Sequence, residues 1–206
     1  MERQKKRNEI DKKYKWDLTT IYKNDDEWYD NLELVKKEIK NIEKYKGKIV
    51  SSAKNLLEYL KYDEKTERKL YKLYYYAHLK HDQDTTNTKY QRMLGKINDL
   101  IQLESELSSF VSPELLSVKH SQIKKYIKEE QGLEEYKFTL EQIYRYEKHK
   151  LTEDEEKILS SLSNVLCISE DAYTALTDSD LKFGTIKDEK GREIEFTESN
   201  YQKFIH

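Results

Sequence analysis

Proline is almost absent. Pro113 is the only proline in 206 residues, and there are only five glycines. A fold rich in strands must reverse its chain often, and tight turns draw on these two residues. So few breakers predict long helices joined by short links. The length suits one large domain or two small ones, with enough chain to bury a real core.

Charged residues make up 38% of the chain and hydrophobic ones 36%. Charge that dense is compatible with disorder. Here the apolar residues recur at helical spacing and the signs are mixed, which is the pattern of helices with one solvated face. The net charge of −2 leaves no clustered basic excess for nucleic acid. "MERQKKRNEI" has charges but no following apolar run, so it is not a secretory signal, and its "RQKKR" reads as a solvated terminus. No stretch reaches the roughly 18 apolar residues of a membrane span. Cys167 is alone, which excludes an internal disulfide and suits a reducing, cytoplasmic compartment.

Along the chain, residues 1–13 read as a flexible charged arm. Trp28, Leu32, Val35, Ile39 and Ile42 form one helix face. Asn24 is its predicted cap, Glu27 reaches back as in a capping box, and Gly47 ends it. Trp16, Leu18 and Ile21 are expected to pack along the helical body. A second helix runs from Ser52 to about Asp82 with a break near Asp63, burying Leu56, Leu57, Leu60, Leu70, Leu73 and Ala77. Its "LYKLYYYAHLKHD" is thick with tyrosine, a residue suited to a half-buried helix seam or a groove wall. Tyr90, Met93, Ile97, Leu100, Leu103, Leu107 and Phe110 mark a third helix.

Pro113 is expected just inside a short helix capped by Ser112. Helices over about 121–131, stopping at Gly132, and about 134–149 follow. In "LTEDEEKILSSLSNVL", Thr152 caps a helix whose first turn is acidic and whose Ile158, Leu159, Leu162, Val165 and Leu166 face inward. Ser169 caps a further short helix. Then "LKFGTIKDEKGREIEF" predicts a β-hairpin, 181–187 and 192–197, with Gly191 in its loop. A last helix begins at Thr197 or Glu198. The fold class is mainly α: a multi-helix domain of long antiparallel helices with one small β-hairpin near the C-terminus.

Little chemistry is visible. His78 and His81 lie at i and i+3 on one helix side, but a metal site needs a third ligand, and none is near in sequence. Cys167 sits in an apolar helical run and reads as a buried structural thiol. The acids Glu153 to Glu156 are explained by the helix dipole. The H-E-x-x-H, nucleotide-binding and nucleophile-elbow motifs are missing. No catalytic, cofactor-binding or metal-binding residue is assigned to the chain.

The order of the signals carries more than any one of them. "WDLTTIY", the Tyr-rich "LYYYAHLKHDQDTTNTKYQ", "SPELL", "LTEDEEKILSSLS" and "ALTDSDLKFGTIKDEKGREIEFTESNYQKFI" follow one another. This series resembles the N-terminal region of oligoendopeptidase F, of the M3 family of zinc metallopeptidases, over nearly all of residues 14–206. The resemblance implies a helical parent with a deep channel for short peptides. Zinc in that parent is bound by H-E-x-x-H and a further Glu, all far downstream, so none of these residues carries over. The chain itself is expected to be inactive, to hold no zinc, and to form one wall of the channel.

Three divisions follow: a charged arm at 1–13, a helical N-terminal domain at 14–180, and a hairpin with a helix start at 181–206 that leads to an absent catalytic domain. That domain is then the chain's partner. Phe196, Tyr201, Phe204 and Ile205 are expected to lie uncovered and to promote self-association. The alternative is a stand-alone helical adaptor with a Tyr-rich groove. A third reading is an enzyme with an unfamiliar site at His78 and His81.

Overall fold

The computed structural model describes residues 7–149, 153–197 and Tyr201. Packing divides the chain into two units, Leu18–Thr152 and Met1–Asp17 with Glu153–His206.

In the first unit, a 3-10 turn at Leu18–Thr20 leads to α1, Asp25–Glu38. Asn24 Oδ1 accepts from the amide of Glu27 at 2.9 Å. Glu27 Oε2 reaches back, but to the amide of Lys23 at 2.7 Å, one residue before the expected partner. A 3-10 segment, Ile39–Tyr45, continues the helix to Gly47, whose φ of +74° lets the chain turn. Then α2, Ala53–Gln83, runs for 31 residues, capped by Ser52.

The expected break near Asp63 does not occur. Tyr62 there donates its hydroxyl to the terminal carbonyls of α1, Glu38 at 2.9 Å and Ile39 at 3.2 Å. The helix is continuous because each half buries a face in a different cluster. The C-terminal half packs with α1 and with α3, Thr88–Ser108, around Trp28, Leu73, Tyr76, Met93 and Ile97. The N-terminal half packs with α4 (Val111–Leu116), α5 (His120–Glu129) and α6 (Lys137–Arg145) around Ile49, Leu56, Leu115, Ile123 and Leu133.

Several boundaries differ from the sequence reading. Phe110, not Ser112, precedes α4 and offers no side-chain cap. Gly132 lies inside a 3-10 segment, Gln131–Tyr136, instead of ending α5 directly. A Cβ there would come within 2.7 Å of Leu57, so the glycine permits close approach to α2. The stretch predicted as one helix over 134–149 is divided among that segment, α6 and a turn at Glu147–His149. Trp16 is 84% exposed, contrary to expectation; Leu18 is buried and Ile21 packs on the core.

In the second unit, α7 runs Glu153–Thr174 straight through Ser169, and a π-helical turn, Ala175–Asp180, extends it. Ser169 therefore caps nothing. Thr152 lies outside the described residues. Ile158, Leu159, Leu162, Val165 and Leu166, expected to face inward, are all exposed. Strands β1, Thr185–Lys187, and β2, Glu193–Glu195, form the predicted hairpin, antiparallel with Ile186 opposite Ile194. Asp188 holds its loop: Oδ1 accepts from the amides of Lys190 and Arg192, and Oδ2 from the Arg192 guanidinium at 2.8 Å. Those bonds, the Arg192 side chain first, bring the Asp188 carboxyl down to about 2. Phe196 packs edge-on against Phe183 and Tyr201, and Tyr201 is exposed; Phe204 and Ile205 lie outside the described residues.

Candidate functional site

Helical spacing sorts the tyrosines of α2. Leu73, Tyr76 and Ala77 turn into the core, while Tyr71 and Tyr75, four residues apart, turn outward and stack at 6.1 Å. Tyr74 lies between the two faces, its ring 5.8 Å from that of Tyr75 and 5.3 Å from that of His78. His78 Nδ1 stands 2.9 Å from Asp82 Oδ2, and His81 Nδ1 stands 3.5 Å from Asp82 Oδ1. The outcome is an exposed aromatic stripe closed at one end by an acid–imidazole group. Such a surface stacks against apolar or planar groups and offers hydrogen bonds at its tips.

A partly buried hub is built on the same helix. Asp25, at the first turn of α1, accepts from the Tyr76 hydroxyl at 2.9 Å and pairs with Lys89 at 2.6 Å and Lys80 at 3.8 Å. Burial pushes the Asp25 carboxyl up, but hydrogen bonds from Lys89 and Tyr76 and the charges of both lysines outweigh it and hold the group below its ordinary value. Burial and the Asp25 carboxylate push the Tyr76 phenol well up. Lys80 also lies over the Tyr76 and Tyr90 rings. One acid thus joins the starts of α1 and α3 to the C-terminal part of α2.

A second acidic group, Asp63 on α2 and Glu104 on α3, is half-buried. Burial, then the nearby Glu67 charge, raises Asp63, which accepts from Tyr59 at 3.2 Å. Burial, then Asp63 and Glu67, raises Glu104. Among the described residues, no group of three or more His, Cys, Asp or Glu side chains is placed to hold a metal ion.

The structure brings His78 and His81 together on Asp82, so their Nδ1 atoms serve a carboxylate. His120 stacks on Tyr144 at 4.6 Å, and its buried Nε2 has no hydrogen-bond partner among the described residues. His149 is exposed in a turn, and His206 lies outside the described residues. Cys167 is exposed, not buried as the sequence reading expected. Glu155 is exposed in the first turn of α7.

Three residues escaped the sequence reading. Asp25 looked like one more first-turn acid. Glu104 of α3 was not singled out. Glu114 of α4 accepts from the amides of Gly47 at 2.7 Å and Ile49 at 2.6 Å, across more than sixty residues. No local pattern signals such a clamp.

Residues 114–183 match the family model described as Oligopeptidase F. The chain is 35% identical over 199 residues to Oligopeptidase PepF of Bacillus subtilis, covering 97% of this chain and 30% of that protein. It is 33% identical over 195 residues to Group B oligopeptidase PepB of Streptococcus agalactiae, covering 95% and 32%. Among solved structures, oligoendopeptidase-F from Enterococcus faecium superposes with a TM-score of 0.77 at 32% identity, over 87% of this chain and 36% of that one. In sequence and fold the chain is therefore similar to part of proteins named as bacterial oligopeptidases. Within that class its likeness is to oligoendopeptidase F, and it spans about a third of the length of the relatives it matches.

Proposed function

We propose that the chain is the N-terminal, non-catalytic part of a zinc metallo-oligopeptidase that hydrolyses short peptides, and that it forms one wall of the substrate channel. The observation that carries this reading is the alignment of nearly the whole chain with only a third of proteins named as oligopeptidases. Residues 181–206 then lead into the catalytic part.

His78 and His81 share Asp82 through their Nδ1 atoms, and no third ligand stands among the described residues. Residues outside this chain would hold zinc in such a parent, where the metal would supply Lewis-acid chemistry for peptide hydrolysis. What this chain contributes is helical surface that limits access to short, flexible peptides.

The test compares two proteins. The purified 206-residue chain should hold no stoichiometric zinc and cleave no peptide. A chimera in which it replaces the matching third of B. subtilis PepF should cleave short peptides and lose that activity to a chelator. A chelator-sensitive peptidase activity in the isolated chain would refute the reading, as would a folded, zinc-loaded chimera that cleaves nothing.

The second reading is a stand-alone helical binding module. The exposed Tyr71–Tyr75 pair favours it, since paired surface aromatics suit recognition of an extended segment. An inactive chimera together with peptide binding that is lost in Tyr75→Ala would favour this module.

A further inference from the structure

Residues 61–69 of α2 hold no aliphatic side chain, and they lie between the two apolar clusters of the first unit. The inward positions of this helix run Leu56, Leu60, Asp63, Thr66, Leu70 and Leu73 at steps of three and four. Those of α3 run Met93, Ile97, Leu100, Glu104 and Leu107. Leu56 and Leu60 belong to one cluster, Leu70, Leu73 and Leu100 to the other, and Leu107 packs against both. Asp63, Thr66 and Glu104 thus occupy the places where aliphatic side chains would fuse the two cores. Thr66 is buried and both acids are half-buried. The helices change character at the same level. Helix α1 passes into its 3-10 segment at Ile39, and the Tyr62 hydroxyl is bonded to the carbonyls there. Thr66 Oγ1 donates back to the Tyr62 carbonyl at 2.9 Å, a bond that eases helix bending. Helix α3 ends at Ser108, one turn beyond Glu104.

Around the two acids stand Glu67 and the phenols of Tyr59, Tyr62 and Tyr45, the last from the 3-10 segment. Tyr59 donates to Asp63. The neighbouring cations serve other acids: Arg68 pairs with Glu64, which also accepts from Tyr136, and Lys69 pairs with Glu38 of α1. Lys61 and Lys65 are exposed. Burial, and then the neighbouring carboxylates, raise both Asp63 and Glu104. We propose that this layer is a proton-operated hinge: α2 flexes at residues 62–66, the α1–α3 half and the α4–α6 half move against each other, and protonation of Asp63 and Glu104 closes the seam and stops the motion. With both carboxylates charged, opening is favoured, because it lets water reach them and lets them separate. The closed seam buries them more, so it binds protons more tightly and gains population as pH falls. The hinge belongs to the packing of this chain and does not depend on the peptidase reading.

Double electron–electron resonance between spin labels on the two halves tests this in the 206-residue chain. Lys96→Cys on α3 and Lys124→Cys on α5 place the labels at exposed positions, and Cys167→Ser removes the native thiol. The distance distribution should be broad at about pH 7 and should lose its broad component by about pH 4, the ordinary carboxylate value, which lies below both raised ones. In the double variant Asp63→Asn, Glu104→Gln it should be narrow at both. A distribution that does not change with pH overturns the proposal. So does a narrowing of equal size in the double variant, which would assign the proton to other groups. A double variant that melts higher yet keeps the broad distribution overturns it too, since the acids then destabilise without governing a motion. If the labelled chain does not fold, hydrogen exchange of the unlabelled chain decides. After correction for the intrinsic rate, protection of the amides at 62–67 should rise as pH falls, and the double variant should show that protection already at about pH 7. Protection that stays constant in the unsubstituted chain overturns the hinge.

Discussion

Trp28 of α1 and Leu73 of α2 lie 45 residues apart in the chain and meet through one hydrogen bond: the indole Nε1 donates to the Leu73 carbonyl at 2.9 Å. The indole is fully buried, so its only polar atom needs this acceptor, and the bond sets where α1 crosses α2. Trp28→Ala should cost about 3–5 kcal/mol in denaturant unfolding. Trp28→Phe should cost less than half of that, because most of the packing survives.

Glu114 clamps the turn after the 3-10 segment by accepting from two amides, Gly47 and Ile49. Glu114→Ala should destabilise by about 1–3 kcal/mol, since both donors lose a charged acceptor. Hydrogen exchange should accelerate first at the Gly47 and Ile49 amides. Unchanged protection there would show that the clamp contributes nothing in solution.

The acids should act in opposite directions with pH. Asp63 and Glu104 are raised, so the folded state binds their protons more tightly than the unfolded chain does. Their contribution therefore favours folding at low pH and turns against it as pH rises through the raised values. Glu104→Gln should raise the Tm at pH 7, and the gain should vanish near the ordinary carboxylate value of about 4. Asp25 is lowered, so its stabilisation is present at neutral pH and is lost as pH falls through its depressed value. Asp25→Asn should lower the Tm at pH 7. Thermal melts of the three proteins across pH would check both signs.

Two glycines should respond oppositely to alanine. Gly95 sits inside α3 with open space around an added Cβ, so Gly95→Ala should stabilise by about 0.5–1 kcal/mol. Gly132→Ala must displace the Leu57 side chain and should destabilise by about 1 kcal/mol. Paired denaturant curves would separate the two.

Much of the fold was legible because its signals are local. The Trp28, Leu56 and Met93 stripes state helical periodicity directly, and all three positions are buried. Asn24, Ser52 and Gly47 mark ends through chemistry that needs no tertiary knowledge. Long-range relations were not legible. The α7 stripe has the same periodicity as the Trp28 stripe, and periodicity shows that a face is apolar without showing which partner takes it. Asp25 and Glu114 act on residues more than fifty positions away, or across three helices, where spacing carries no information. The α2 tyrosines were intermediate: their composition announced a seam, but only the helix's rotation decides that Tyr76 is buried and Tyr75 exposed.

The central claim is that this chain is one part of a longer zinc oligopeptidase, and sequencing the transcript past the codon for His206 tests it most directly. The account predicts an open frame of about twice this length again, carrying H-E-x-x-H and a later Glu to complete the zinc site. A stop codon directly after His206, or a long continuation without that motif, would contradict it.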